Sequence, residues 1–224
     1  MLDYLPLVII LGGLGVMAYY LTRSAKNTDQ KRAALAEEKG WTYIPGSSII
    51  VSNIPDEERN ISYHLKGKTA AGTNWAITAR KLLTIEKERM TRLELNPSTE
   101  WLAEKPFVDH FLIMPHDGIT IPDFILNEIF KRLGFPTGIN RMPNSVLPSE
   151  LSNHYAVYAD SKKLDDFLAR ATPLLNRWWQ KYPRKEKALI VAGSPRGLKI
   201  RTEMDIEKET ELVFFVETCL GMID

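Results

Sequence analysis

A stretch of uncharged residues near the N-terminus constrains the fold more than any other feature of the sequence. Between Asp3 and Arg23, the 19 residues from Tyr4 to Thr22 carry no charge and are mostly apolar. At about 1.5 Å per residue, a helix of this length roughly matches the ~30 Å hydrocarbon core of a bilayer. The sequence therefore predicts a transmembrane helix at 4–22.

The charges on either side of this stretch predict its orientation. Asp3 precedes it, and a group of cations follows it: Arg23, Lys26, Lys31 and Arg32. Because basic residues are retained on the cytoplasmic side of a membrane, we expect residues 1–3 outside and the rest of the chain in the cytoplasm, held by a single pass. A cleaved signal peptide is disfavoured, since it carries its cations before the apolar stretch.

Small residues within the stretch predict a surface for helix packing. Gly12, Gly15 and Ala18 recur at every third position, so a helix places them on one side, where a partner helix could approach closely. The alternative is that the glycines only reflect the usual composition of membrane helices, because the strict G-x-x-x-G spacing is absent. The sequence leaves both interpretations open.

Composition narrows the classes of function. A hydrophobic share of 44% is enough to bury a core, and a formal net charge of +1 lacks the basic excess of proteins that grip nucleic-acid phosphates. We therefore expect no nucleic-acid partner. The single cysteine, Cys219, excludes an internal disulfide and any zinc site built from several cysteines.

Residues 23–40 are typical of a basic stalk helix, and residues 41–134 of a first lobe. The run Thr28–Lys39 is rich in Ala, Glu and Lys and stops at Gly40, as helices that end on glycine do. The lobe mixes both kinds of element: a short strand at Trp41–Ile44, a hairpin over Ile61–Lys81, strands at Met90–Leu95 and Phe107–Met114, a short helix at Ser98–Lys105 and a second helix after Pro122.

A proline-rich segment, 135–150, predicts a linker to a second lobe at 151–224. The segment 206–222 fits a last helix, although part of it also fits a strand. Hairpins mixed with helices, without regular alternation, predict the α+β class for the domain that follows the transmembrane helix. The other elements expected in the second lobe are a strand at His154–Ala159, a helix that Asp160 or Ser161 caps and that breaks or bends at Thr172–Pro173, and a hairpin of Ala188–Ala192 with Leu198–Arg201.

No residues assemble into a convincing catalytic, cofactor or metal site. His110 and His116 would lie about 20 Å apart on one strand at ~3.3 Å per residue, too far to share a metal ion. In Gly193–Gly197 the serine is not central between the glycines, as a nucleophile elbow requires, so a hairpin turn is favoured. We therefore assign no catalytic residue, no cofactor and no metal.

The segment 177–187 concentrates cations and aromatic rings. Such a mixture suits the headgroup level of a membrane or the surface of a protein partner. Trp178 continues the apolar row of Leu174 and Leu175, which favours a core position for this tryptophan. The residues predicted to contact a partner or lipid are Arg177, Trp179, Lys181, Arg184, Lys185 and Lys187.

Several patterns together resemble a loose group of bacterial single-pass membrane-anchored proteins with an α+β cytoplasmic domain. The patterns are the apolar span, the run Glu37–Tyr43 at the end of the basic stalk, the turn Gly72–Trp75, a strand ending at Met114–Pro115 and a strand–helix unit at Tyr155–Leu175. The resemblance covers most of the chain and carries no catalytic signature. It implies the bacterial inner membrane and leaves the function open.

The leading hypothesis is a membrane-anchored, non-enzymatic accessory or scaffolding subunit that associates with a larger bacterial inner-membrane protein complex. It is motivated by the small residues of the predicted span, by the segment 177–187 and by the lack of a catalytic constellation. Its partners would be membrane lipids and membrane proteins. The alternative is a peripheral domain that binds lipid or a small ligand at the cytoplasmic face of the membrane.

Overall fold

Strands dominate the part of the chain that the structure describes. This computed structural model describes residues 19, 23, 26–46, 60–87, 91–107, 110–116, 139–160 and 164–223. Its strands are β1 (Thr42–Pro45), β2 (Ile61–Lys68), β3 (Asn74–Arg80), β4 (Leu83–Lys87), β5 (Thr91–Leu95), β6 (Ser98–Ala103), β7 (Phe111–Pro115), β8 (Asn140–Arg141), β9 (Tyr155–Ala159), β10 (Ile190–Ser194) and β11 (Gly197–Thr202). Its helices are α1 (26–38), α2 (Ser149–Ser152), α3 (Asp165–Lys181) and α4 (Glu209–Ile223). The architecture is α+β.

Nine of the strands form one antiparallel sheet, in the order β1-β2-β3-β6-β11-β10-β7-β9-β8. β4 and β5 pair separately as a two-stranded hairpin. β10 and β11 lie in the middle of the large sheet, between β6 and β7. At one edge, β1 ends on Pro45, which has no N–H to offer to a further strand.

One row of side chains across the sheet forms the centre of the core. Each member of the row is at most 2% exposed. Because side chains alternate between the two faces of a strand, this row marks the core face of the sheet. The residues directly before and after each member along its own strand lie on the opposite face. Strand pairing from β2 to β9 aligns Leu65, Ile77, Trp101, Ile200, Val191, Ile113 and Val157 in this row.

Helices α3 and α4 bury their apolar sides in the same core. The ring of Phe167 in α3 lies 4.6 Å from that of Phe111 on β7. The two helices meet where the ring of Trp178 stacks on Phe214 at 5.4 Å. Cys219 of α4 is fully buried, which raises the pKa of its thiol, so it acts as a small core residue.

Helix α1 ends in a Schellman motif. The N–H of Trp41 donates to the carbonyl of Ala36 at 2.7 Å, and the N–H of Gly40 donates to the carbonyl of Glu37 at 3.1 Å. Gly40 has the left-handed φ of 68° that this motif requires, which confirms the predicted end of the helix. Ala36 is buried in the core, so α1 packs on the domain and does not project as a stalk.

The structure corrects the prediction of a membrane anchor. Among the described residues, no helix is both long enough and apolar enough to span a bilayer. Helices α3 and α4 have 17 and 15 residues, fewer than the roughly 20 that a bilayer requires, and α1 carries six charged residues. This finding overturns the predicted N-terminal transmembrane helix and the single-pass inner-membrane localisation. Of the predicted span 4–22, only Tyr19 is among the described residues.

The predicted hairpins are confirmed. β2 and β3 pair from Lys68 with Asn74 onward, and β10 and β11 pair up to Ser194 with Gly197. The last segment, for which both helix and strand were open, is the helix α4. The helix predicted after Pro122 lies outside the described residues.

Two predicted helices differ in the structure. Residues 98–103 form strand β6 and not a helix at Ser98–Lys105, because β3 and β11 pair with both edges of this segment. Helix α3 begins at Asp165 and runs through Pro173 without the predicted break. Ala171 and Leu175 are buried on either side of the proline. Their packing keeps the helix in one piece, although the proline removes a backbone hydrogen bond.

The two predicted lobes share one sheet and one core. β10 and β11 belong to the predicted second lobe, yet they lie between strands of the first. Within the predicted linker 135–150, Ile139 and Leu147 are buried in hydrophobic clusters with residues of the sheet. A connection that contributes to the core does not hold two lobes apart.

Replacing Gly193 by alanine is expected to lower the free energy of unfolding by about 1–3 kcal/mol. A Cβ at this position of β10 would lie 2.0 Å from Cε1 of Phe111, whose ring is buried and packed against Phe107 and Phe167. The matched control is Gly221→Ala in α4. Its Cβ meets only the end of the Leu174 side chain, at 3.1 Å, so we expect a much smaller effect. Urea unfolding measures both, and equal losses would contradict the placement of Gly193.

Candidate functional site

The segment 177–187 folds back on itself at the end of α3. The indole N–H of Trp178 donates to the carbonyl of Lys187 at 2.8 Å, which ties the short 3-10 turn Lys185–Lys187 to the helix. Trp178 is fully buried, as its place in the apolar row predicts. The cations before and after it are therefore brought to one surface.

Three of the predicted contact residues converge on two aromatic rings. The Nζ of Lys181 lies 4.0 Å from the centre of the Phe214 ring, and the Cζ of Arg177 lies 5.1 Å from the same centre. The Nζ of Lys187 lies 5.8 Å from the centre of the Tyr182 ring. Arg184 is exposed in the turn between them. We call Arg177, Lys181, Arg184 and Lys187, together with the buried rings of Tyr182 and Phe214, the basic-aromatic surface.

Charge at the basic-aromatic surface is unbalanced. Within the described part of the chain, none of its four cations forms an ion pair within 4.0 Å. The nearby acids are Glu186, exposed in the same turn, and Glu211 of α4. Burial raises the pKa of Tyr182, and the Glu211 carboxylate raises it further. Positive charge remains in excess over these two carboxylates.

Of the other predicted residues, Trp179 lies elsewhere, Lys185 lies in the same turn as Lys187, and the three small residues near the N-terminus lie outside the described residues. Trp179 points away from Phe214: its ring stacks on His154 at 4.2 Å and meets Tyr155 edge-on at 6.0 Å. Lys185 is exposed in the 3-10 turn. Gly12, Gly15 and Ala18, predicted as a helix-packing side, lie outside the described residues.

A groove that the sequence did not predict opens at one end of the sheet. It has a volume of about 670 Å³ and is open to solvent. Its lining comes from the end of α1 and from the adjoining ends of β1, β2, β3 and β6. The lining residues are Lys39, Gly40, Trp41, Thr42, Lys66, Gly67, Lys68, Asn74, Trp75, Ala76, Leu102 and Glu104.

Strand register explains why these residues meet although they are distant in sequence. Pairing aligns Thr42 with Lys66, Lys66 with Ala76, and Ala76 with Leu102, on the face opposite the core. The Schellman motif of α1 places Lys39 and Trp41 beside this row. The only signal in the sequence was that Lys66 and Lys68 alternate with the apolar residues of β2, which predicts that they face away from the core.

Arg32 has a structural role that its charge did not predict. The sequence placed it among the cations on the cytoplasmic side of the span, but its side chain is buried. Its Nη2 donates to the carbonyls of Ile206 at 3.4 Å and Glu207 at 3.2 Å, and its Cζ lies 4.4 Å from the centre of the Tyr63 ring. Arg32 thus attaches α1 to the segment that leads into α4.

A carboxyl group lies in the same buried region. Burial raises the pKa of Asp205, and this effect is opposed by the hydroxyl of Ser62, which donates to its Oδ2 at 3.0 Å, and by the positive charge of Arg32. The hydroxyl of Tyr63 donates to the carbonyl of Ile206 at 3.0 Å. These contacts join α1, β2 and the segment that leads into α4. We therefore assign this buried cluster a structural role.

His116 and His154 are neighbours, since the backbone N–H of His116 donates to the carbonyl of His154 at 2.9 Å, whereas His64 lies on β2 and His110 precedes β7. The Nδ1 of His110 lies 3.3 Å from Oδ2 of Asp160, and the Nε2 of His116 lies 3.0 Å from the carbonyl oxygen of Ser152. His64 contacts Thr78, and His154 stacks on Trp179. Among the described residues, no group of three or more His, Cys, Asp or Glu side chains could hold a metal ion.

Comparisons with known proteins assign no family. No family model matches the chain, and no curated protein matches it significantly. The crystal structure of the mycobacterial trehalose monomycolate transport factor A, TtfA, is similar, with a TM-score of 0.45 and 11% sequence identity, covering 88% of this chain and 92% of that chain. A similarity at this TM-score supports no conclusion about this chain. The resemblance drawn from the sequence stays a prediction.

Proposed function

We propose that this chain is a non-enzymatic accessory protein that binds an acidic surface of a protein partner through its basic-aromatic surface. The observation that carries the proposal is the convergence of Arg177, Lys181 and Lys187 on the rings of Phe214 and Tyr182. The partner would be a subunit of a larger assembly.

The arrangement favours binding because the cations are already held in place. Contacts between cations and aromatic rings are worth about 0.5–1 kcal/mol each at exposed sites. These contacts restrict the long basic side chains before a partner binds, so less conformational entropy is lost on binding. Like charges held close together repel one another, and an acidic partner removes this repulsion. Binding through such a surface is fast and weakens as salt is added.

Charge reversal at the basic-aromatic surface is the test of this proposal. The probe is a fluorescently labelled poly-glutamate peptide, and its anisotropy reports binding. We expect saturable binding by the native chain that weakens with salt, and at least about tenfold weaker binding after Arg177→Glu, Lys181→Glu and Arg184→Glu together. All three side chains are exposed, so the fold should be retained.

The control variant makes the same change in net charge elsewhere. Lys26→Glu, Lys31→Glu and Lys81→Glu alter three exposed lysines on α1 and after β3, and we expect nearly native binding. Equal weakening in both variants would mean that net charge alone attracts the peptide, and the proposal would fail. Flotation with phosphatidylglycerol vesicles is the second arm. If the native chain floats with these vesicles but does not bind poly-glutamate, the surface binds a lipid membrane and not a protein partner.

A further inference from the structure

We propose that the groove at the end of the sheet binds a small organic anion with an apolar body, such as an aryl or alkyl carboxylate or sulfonate. This site is separate from the basic-aromatic surface, shares no residue with it and does not rest on the proposed function. Its volume of about 670 Å³ lies within the ~300–1,000 Å³ that is typical of small-molecule sites.

The floor of the groove offers apolar contact. Ala76 and Leu102 are neighbours in paired strands on the face of the sheet opposite the core. Leu102 is 42% exposed, although β6 is paired with a strand on each side. Trp41, which follows α1, lines the same groove and packs edge-on against Trp75. A ligand with a flat or aliphatic body would cover this leucine and gain the free energy of removing apolar surface from water.

The rim of the groove carries an excess of positive charge. Lys39, Lys66 and Lys68 line it together with one acid, Glu104. The Oε2 of Glu104 already accepts a hydrogen bond from Nδ2 of Asn74 at 3.1 Å. Within the described residues, neither Lys66 nor Lys68 forms an ion pair, and Lys39 has only a 3.9 Å contact with its neighbour Glu38. An anionic group would therefore find ammonium donors that are not committed elsewhere.

The wall of the groove is rigid. The rings of Trp41 and Trp75 meet edge-on at 5.5 Å, and they can do so because Gly67 lies between them. A Cβ on Gly67 would lie 2.4 Å from the Trp75 ring and 3.1 Å from the Trp41 ring. Trp75 is buried in the core, so this wall does not have to form when a ligand binds. Such a preformed wall lowers the entropy that binding costs.

Two probes that differ in one group test the proposal. Anilinonaphthalene sulfonate has an anionic group and an apolar body, and phenylnaphthylamine has the same rings without the sulfonate. Fluorescence titration of the full chain should show one saturable site for the sulfonate. Lys66→Gln together with Lys68→Gln should weaken binding of the sulfonate by about tenfold and leave binding of phenylnaphthylamine nearly unchanged.

Matched variants decide the outcome. Lys31→Gln with Lys208→Gln, at exposed positions away from the groove, should bind the sulfonate as the native chain does. Leu102→Ser should weaken the binding of both probes, because it removes apolar surface from the floor of the groove that both probes contact. Unchanged binding in the Lys66 and Lys68 variant, or in Leu102→Ser, would overturn the proposal. Displacement of the sulfonate by poly-glutamate would also overturn it, since the groove would then be part of a protein-docking surface.

Discussion

Replacing Trp178 by alanine is expected to lower the free energy of unfolding by about 3–5 kcal/mol, the usual loss for a fully buried tryptophan. The ring is completely buried, stacks on Phe214 and donates from its Nε1 to the carbonyl of Lys187. The substitution leaves a cavity between α3 and α4 and frees the 3-10 turn. Urea unfolding followed by circular dichroism gives the free energy.

The neighbouring tryptophan is the control. Trp179 is only half-buried and stacks on His154 away from the contact between the two helices. Trp179→Ala should therefore cost clearly less than Trp178→Ala. If the two substitutions lower the free energy of unfolding equally, Trp178 does not hold segment 177–187 in place.

Replacing Arg32 by alanine is expected to cost about 1.5–3 kcal/mol, because two carbonyls lose a charged hydrogen-bond donor. The carbonyls are those of Ile206 and Glu207, and the contact of Arg32 with the Tyr63 ring is lost as well. The amide protons of α1 should then exchange faster with solvent, since the helix loses its attachment to the start of α4. Unfolding in urea and hydrogen exchange together test this.

Lys31 provides the matched control, because it is the adjacent cation on α1 and is exposed. Lys31→Ala should stay within about 0.5 kcal/mol of the native chain, as exposed substitutions usually do. A loss as large as that of Arg32→Ala would mean that the charge of α1 matters, and not the buried contacts of Arg32.

The local elements of the fold were largely predictable, because burial imposes a period on the sequence. Ile61, Tyr63 and Leu65 alternate with polar residues, and this alternation marks β2 and its hairpin. The order of the strands was not predictable. β6 lies beside β11, more than ninety residues later, and no local pattern reports such a pairing. The same pairing explains why Ser98–Lys105 was wrongly predicted as a helix.

The two candidate sites also differ in how far the sequence predicts them. The basic-aromatic surface is mostly one continuous segment, so its cations were visible in the sequence, whereas Phe214 of α4 was not. The groove depends on register between strands and on the end of α1, so no single segment revealed it. Arg32 was misassigned because a cation in the sequence looks the same whether it is solvated or buried against carbonyls.

An amide and indole NMR titration of the native chain with poly-glutamate shows most directly whether the basic-aromatic surface binds an acidic partner. We expect the shifts to concentrate in residues 177–187 and around Phe214, and to include the indole signal of Trp178, whose N–H contacts Lys187. The indole signal of Trp101, buried in the middle of the sheet, should stay in place. Shifts confined to other surfaces, or no shifts at all, would contradict the claim that the basic-aromatic surface binds an acidic partner.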